Sequence, residues 1–80
     1  MHETHLIQPI INGISEHVKK EGGGKVSKLR VKIGIYTGIK EESFKETFNV
    51  LATGTVLEGA ELEMNSFPAS RIEVVSFDVE

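Results

Sequence analysis

Apolar residues near the start of the chain recur at helical spacing. In the stretch THLIQPIINGISEHVKK they line one face of a helix. These residues are Leu6, Ile7, Ile10, Ile11, Ile14 and Val18. Pro9 has no N–H to donate to the carbonyl of His5, so we expect a delayed or distorted first turn and regular helix over residues 6–20. The three glycines of EGGGK then end the helix.

Strict alternation replaces helical spacing in the segment KLRVKIGIYTG. One set of side chains is apolar (Leu29, Val31, Ile33 and Ile35), and the set between them is basic (Lys28, Arg30 and Lys32). Because side chains alternate across a strand, the pattern predicts a strand over residues 26–36 with one solvated face.

Helical spacing returns over residues 41–53. The apolar face comprises Phe44, Thr47, Phe48, Leu51 and Ala52. Glu41 and Glu42 suit the positive end of the helix dipole. Ser43 and Glu46 have the spacing of a capping box, so we expect them to close the first turn.

Two further strands are predicted over residues 60–67 and 71–79. The phase of the second one slips between Val74 and Val75, where we expect a bulge. The connection between these strands is too short for a crossover helix, so we expect them to pair antiparallel with each other. The fold class is α+β, in the order α-β-α-β-β, with both helices on one face of a three-stranded sheet.

Composition and charge exclude several classes of function. The 80 residues predict a single domain, residues 1–80, with a thin core, since such a domain buries only ~60–65% of its unfolded surface. A homodimer or a partner would supply further burial. The net charge is −3 and the basic residues are spread along the chain, so no basic surface for nucleic-acid binding is expected. Neither a membrane span nor a signal peptide is apparent, which favours the cytoplasm. No catalytic constellation is apparent, so we expect no enzyme.

The first five residues, MHETH, contain two of the three histidines. If Met1 is the first residue and keeps its free amine, that amine, the following amide nitrogens and the His2 imidazole can all reach one cation. Four nitrogen donors in a plane suit Ni(II) or Cu(II). The amine and the imidazole both offer neutral donors near neutral pH. The alternative is that His2 is a flexible, solvated residue.

Several segments together resemble the HypA/HybF family of nickel-insertion chaperones for hydrogenase and, in some bacteria, urease. They are MHE at 1–3, EHVKK at 16–20, VSKLRVKIGIYTGI at 26–39, ESF...F.VLA.GT..EGAELE at 42–63, and the closing RIEVVSFDVE. The resemblance implies Ni(II) bound by the Met1 amine, the His2 side chain and backbone nitrogen, and the Glu3 backbone nitrogen. Its most specific element is the initial Met-His-Glu.

The chain departs from the family pattern in two places. Family members carry a zinc-binding segment with two CxxC pairs between the last two strands. Here that segment is absent between about residues 67 and 71 and the chain has no cysteine, so no zinc is expected. Lys40 stands where some members have a carboxylate proposed to assist nickel, and Glu41 and Glu42 follow it.

The other two histidines, His5 and His17, are weaker candidates for metal binding. His5 is either a surface residue or an auxiliary ligand. His17 lies near a helix end, where a partly charged imidazole favours the dipole. The Glu3 carboxylate is a candidate for orienting the His2 imidazole.

Two functions follow from these features. The first is a nickel-binding accessory protein for a nickel enzyme such as [NiFe] hydrogenase, for which the resemblance implies a maturation GTPase and a hydrogenase large subunit as partners. The alternative is a metal-independent interaction module, a diverged or truncated relative that kept the fold.

Overall fold

The helices and strands succeed one another in the predicted order. The computed structural model describes residues 3–80. Its regular elements are helix α1 (Thr4–Lys20), strand β1 (Val26–Gly34), helix α2 (Glu41–Ala52), strand β2 (Glu61–Phe67) and strand β3 (Ile72–Val79). A 3-10 turn, Ile35–Thr37, follows β1. The α+β class and the order α-β-α-β-β are confirmed.

Both helices pack on one face of the sheet, as predicted. The buried residues form one cluster drawn from the apolar stripes of α1, β1 and α2. Its members in these elements are Ile7, Ile11, Ile14, Val18, Val26, Leu29, Val31, Ile33, Phe44, Phe48 and Ala52. Phe44 and Phe48 are at most 1% exposed, and each contributes about 1.5–3 kcal/mol by burial.

The strand order β2-β1-β3 corrects the predicted pairing of the last two strands. β1 lies in the centre and pairs parallel with β2 and antiparallel with β3. Helix α2 is the crossover that brings β2 parallel to β1. The turn after β2 then has only to cross the end of one strand, a span of roughly 10 Å, which its few residues cover easily. A short turn therefore does not require β2 and β3 to pair with each other, and the predicted pairing is wrong.

The turn between β2 and β3 passes directly over the end of β1. Gly34 donates its N–H to the Arg71 carbonyl at 2.9 Å, and Tyr36 donates to the Ala69 carbonyl at 3.0 Å. A Cβ at Gly34 would lie 2.2 Å from the Ala69 oxygen. Glycine is therefore required here by close approach, because its φ of −66° and ψ of 132° suit any residue.

The predicted bulge in β3 is confirmed. Val31 pairs with Val74 and Arg30 pairs with Ser76, so Val75 is an extra residue between two successive pairs. The predicted apolar stripe of β1 extends one residue too far, however. The strand ends at Gly34, and Ile35 lies in the 3-10 turn with 56% of its surface exposed.

The beginnings of both helices differ from the predictions. Helix α1 begins at Thr4, because the amides of Leu6 and Ile7 both donate to the Glu3 carbonyl at 2.9 Å and so complete the first turn. Pro9 is accommodated inside the helix at an exposed position. Helix α2 is preceded by Lys40 as its N-cap, without a side-chain cap, so the predicted capping box is wrong.

Candidate metal centre

Only one of the three predicted nickel ligands lies in the described part of the chain. Met1 and His2 lie outside the described residues. Glu3 is the N-cap of α1. Its carbonyl accepts the first two hydrogen bonds of the helix, from Leu6 and Ile7. These helical bonds use the Glu3 carbonyl oxygen and leave the Glu3 amide nitrogen, the predicted ligand atom, outside them.

The Glu3 side chain is tied to the second helix. Ser43 donates its hydroxyl to Glu3 Oε1 at 2.7 Å, across 40 residues of sequence. Ser43 is the third residue of α2 and is half-buried, as is Glu3. The spacing of Ser43 and Glu46 predicts a capping box, and no local pattern indicates the contact of Ser43 with Glu3.

Carboxylates lie at the start of both helices. Glu41 and Glu42 form the first turn of α2, where they complement the partial positive charge of the helix N-terminus. Together with the Glu3 carboxylate held by Ser43, they favour a cation. Lys40, immediately before the helix, opposes it.

The structure separates His5 from His17. His5 is exposed in the first turn of α1, two residues after the N-cap Glu3. His17 lies 12 positions further along the same helix, roughly 18 Å away at 1.5 Å per residue. Its ring packs edge-on against Phe77, with centroids 5.7 Å apart. His17 therefore belongs to the packing of α1 on β3.

Two basic residues of β1, Lys28 and Arg30, have structural partners. On the solvated face of the sheet, Lys28 forms ion pairs with Glu61 and Glu63 at 3.1 and 3.3 Å. Arg30 forms a bidentate pair with Asp78 at 3.1 and 3.0 Å. These carboxylates offset the central basic row of the sheet. The Arg30 guanidinium also holds the pKa of Asp78 below its usual range by hydrogen bonding.

A cavity of about 500 Å³ lies beside α1, away from Glu3. Apolar side chains such as Ile11, Val18 and Val56 line it together with polar groups and glycines. Ser15 lies on its wall, and its hydroxyl is buried without a hydrogen-bond partner.

Within residues 3–80, no three histidine, cysteine or acidic side chains are grouped closely enough to hold a metal ion. No helix in that range is long and apolar enough to cross a membrane.

Comparison with known proteins identifies the family. A family model described as hydrogenase/urease nickel incorporation, metallochaperone, hypA matches residues 1–72. The chain belongs to the HypA family. HypA proteins are metallochaperones, not enzymes.

Two curated HypA proteins illustrate the similarity. The chain is 34% identical over 70 residues to hydrogenase maturation factor HypA of Beijerinckia indica, a match that covers 88% of this chain and 62% of that protein. It is 44% identical over 62 residues to the HypA of Caldanaerobacter subterraneus, which covers 78% of this chain and 54% of the relative. The chain thus spans between 54% and 62% of the length of these two curated relatives.

A solved structure shares the fold. The solution structure of the Ni metallochaperone HypA from Helicobacter pylori superposes with a TM-score of 0.83. The match covers 99% of this chain and 97% of that one, at 17% sequence identity. At this identity the likeness establishes the fold alone.

Proposed function

We propose that this HypA-family chain is a nickel-binding accessory protein that delivers Ni(II) for the maturation of a nickel enzyme such as [NiFe] hydrogenase. The observation that carries the proposal is the Met-His-Glu sequence at residues 1–3, followed at once by a helix whose N-cap is Glu3. In this proposal the ligands are the Met1 amine, the His2 imidazole and backbone nitrogen, and the Glu3 backbone nitrogen. Four such nitrogens suit Ni(II) in a plane.

The proposed partners follow from the family. A maturation GTPase would act with the chain, and a hydrogenase large subunit would receive the nickel. The family description names nickel incorporation into hydrogenase and urease, which supports a role in metal delivery. We propose that the chain acts in the cytoplasm. We also propose that residues 1–80 form a single domain without the family's zinc segment.

A second candidate function is a metal-independent interaction module. The observation that favours it is the apolar surface beside the turn between β2 and β3, where Ile35 is 56% and Tyr36 is 71% exposed. In this reading the fold serves only to present such surfaces to a partner.

Nickel titration separates the two functions. Isothermal titration calorimetry is performed on the untagged chain, on a variant with one residue added before Met1, and on His2→Ala. The added residue converts the Met1 amine to an amide, and His2→Ala removes the imidazole, so each change should abolish most Ni(II) binding.

His17→Ala is the matched control, because it removes a histidine that packs on Phe77 far from Glu3. It should bind nickel like the native chain. Equal nickel affinity in the native, extended and His2→Ala samples would reject the nickel site and favour the interaction module. Circular dichroism confirms that each variant keeps its helices.

A further inference from the structure

We propose that Ser43 is a positioning residue for the nickel-binding segment, which it holds through the Glu3 carboxylate. The inference rests on the proposed function, and it assigns α2 a part in metal binding alongside α1. Ser43 itself is not proposed as a nickel ligand.

The contact is a strong hydrogen bond. A serine hydroxyl donates to a carboxylate oxygen at 2.7 Å, in the short range typical of charge-assisted O–H···O⁻ bonds. Both side chains are half-buried, so water competes less than at an exposed site. The bond joins residues 40 positions apart and therefore links two separate elements of the fold.

Both ends of this bond are anchored in the core. Ser43 directly precedes Phe44, whose side chain is 0% exposed. Glu3 is attached to α1 through the amide of Ile7, whose side chain is also 0% exposed. The hydroxyl therefore acts from a rigid position and restrains residue 3 relative to both helices.

This restraint bears directly on nickel binding. The proposed donors lie on Met1, His2 and Glu3, and an ordered Glu3 reduces the conformational freedom that binding must remove. Hydrogen bonds that orient metal-binding residues commonly change metal affinity by about 10–100-fold. Because Ser43 acts on the carboxylate and the proposed ligand is the amide nitrogen, we expect an effect of about tenfold, at the lower end of that range.

The test compares Ser43→Ala with Thr47→Ala in the native, untagged chain. Both changes remove a hydroxyl from a half-buried residue of α2, but Thr47 lies one turn beyond the contact with Glu3. Calorimetric titration with Ni(II) should show about tenfold weaker binding for Ser43→Ala and native binding for Thr47→Ala. Ser43→Thr restores a hydroxyl and should recover most of the affinity.

A double-mutant cycle identifies the route of the effect. In a Glu3→Ala background the carboxylate is gone, so Ser43→Ala should cause no further loss of nickel affinity. A purely structural role of Ser43 would leave its effect unchanged in that background and would overturn the inference. Glu3→Ala is also a second, independent test, because it removes the hydrogen bond between Ser43 and Glu3 from the side of α1.

The remaining outcomes are distinct. Native nickel affinity in Ser43→Ala, or equal losses in Ser43→Ala and Thr47→Ala, would overturn the inference while leaving the proposed function intact. Undiminished affinity in His2→Ala would instead reject the proposed function itself. Loss of affinity in His2→Ala and in Ser43→Ala, with native binding in Thr47→Ala, supports both.

Discussion

Replacement of Gly34 by alanine tests the crossing of the turn over the end of β1. In the structure, the added Cβ would lie 2.2 Å from the Ala69 oxygen and 2.7 Å from the Arg71 oxygen. Both are backbone atoms and cannot swing aside as a flexible side chain would. The turn must move by about 0.8 Å or more to restore even a tight contact near 3.0 Å.

The expected loss of stability has two parts. Overpacking of this kind costs about 1–3 kcal/mol. The same movement weakens the hydrogen bonds from Gly34 to Arg71 and from Tyr36 to Ala69, each worth about 0.5–1.5 kcal/mol. We therefore expect Gly34→Ala to lower the free energy of unfolding by about 2–4 kcal/mol, a large share of the stability of a small domain.

Urea unfolding followed by circular dichroism measures this loss. With a slope near 1 kcal/mol per molar urea, the midpoint should fall by roughly 2 M or more. Gly13→Ala is the matched control, because a Cβ there meets nothing within 4 Å and Gly13 lies inside α1. It should stabilise the chain by about 0.5–1 kcal/mol through helix propensity. A Gly34→Ala midpoint equal to or above the native one would refute the crossing of the turn over β1.

Three further predictions test other parts of the fold. Ser15→Ala removes a buried hydroxyl without a hydrogen-bond partner, so thermal unfolding should show a free energy of unfolding about 1 kcal/mol higher than that of the native chain. A lower free energy of unfolding would mean that the hydroxyl has a hydrogen-bond partner. Arg30 lowers the pKa of the Asp78 carboxylate in the folded chain. The ion pair therefore contributes to stability above about pH 4, the pKa of an unfolded aspartate, and this contribution is lost as the pH falls through the lower pKa of the folded chain. Asp78→Asn should therefore flatten the acid side of the stability profile, and an unchanged profile would contradict this. The chain has no cysteine, so a strong chelator should leave its circular dichroism unchanged, whereas loss of helix would reveal a structural metal.

The sequence alone determined the features that depend on neighbouring residues. The spacing of Ile7, Ile11 and Phe44 identified the buried faces of both helices, because a helix brings every third or fourth side chain to one side. The alternation around Val31 identified the buried face of β1. The phase slip before Val75 located the bulge, since an extra residue reverses the alternation.

The resemblance of several segments suggested the family, and the opening Met-His-Glu together with that resemblance suggested the predicted ligands Met1, His2 and Glu3. The family is now shown by the match over residues 1–72. The ligands remain a proposal, since the structure describes only Glu3 among them. Helix starts were less predictable, because Pro9 argued for a later start than the hydrogen bonds to the Glu3 carbonyl allow.

Only the tertiary structure decided which elements are neighbours. The central place of β1 depends on the crossover through α2, and no local pattern records which strand lies between two others. The role of Gly34 became visible only when the turn near Ala69 was placed across it. The hydrogen bond from Ser43 to Glu3 likewise depends on the packing of two helices, because residues 40 apart in sequence leave no periodic signal of their contact.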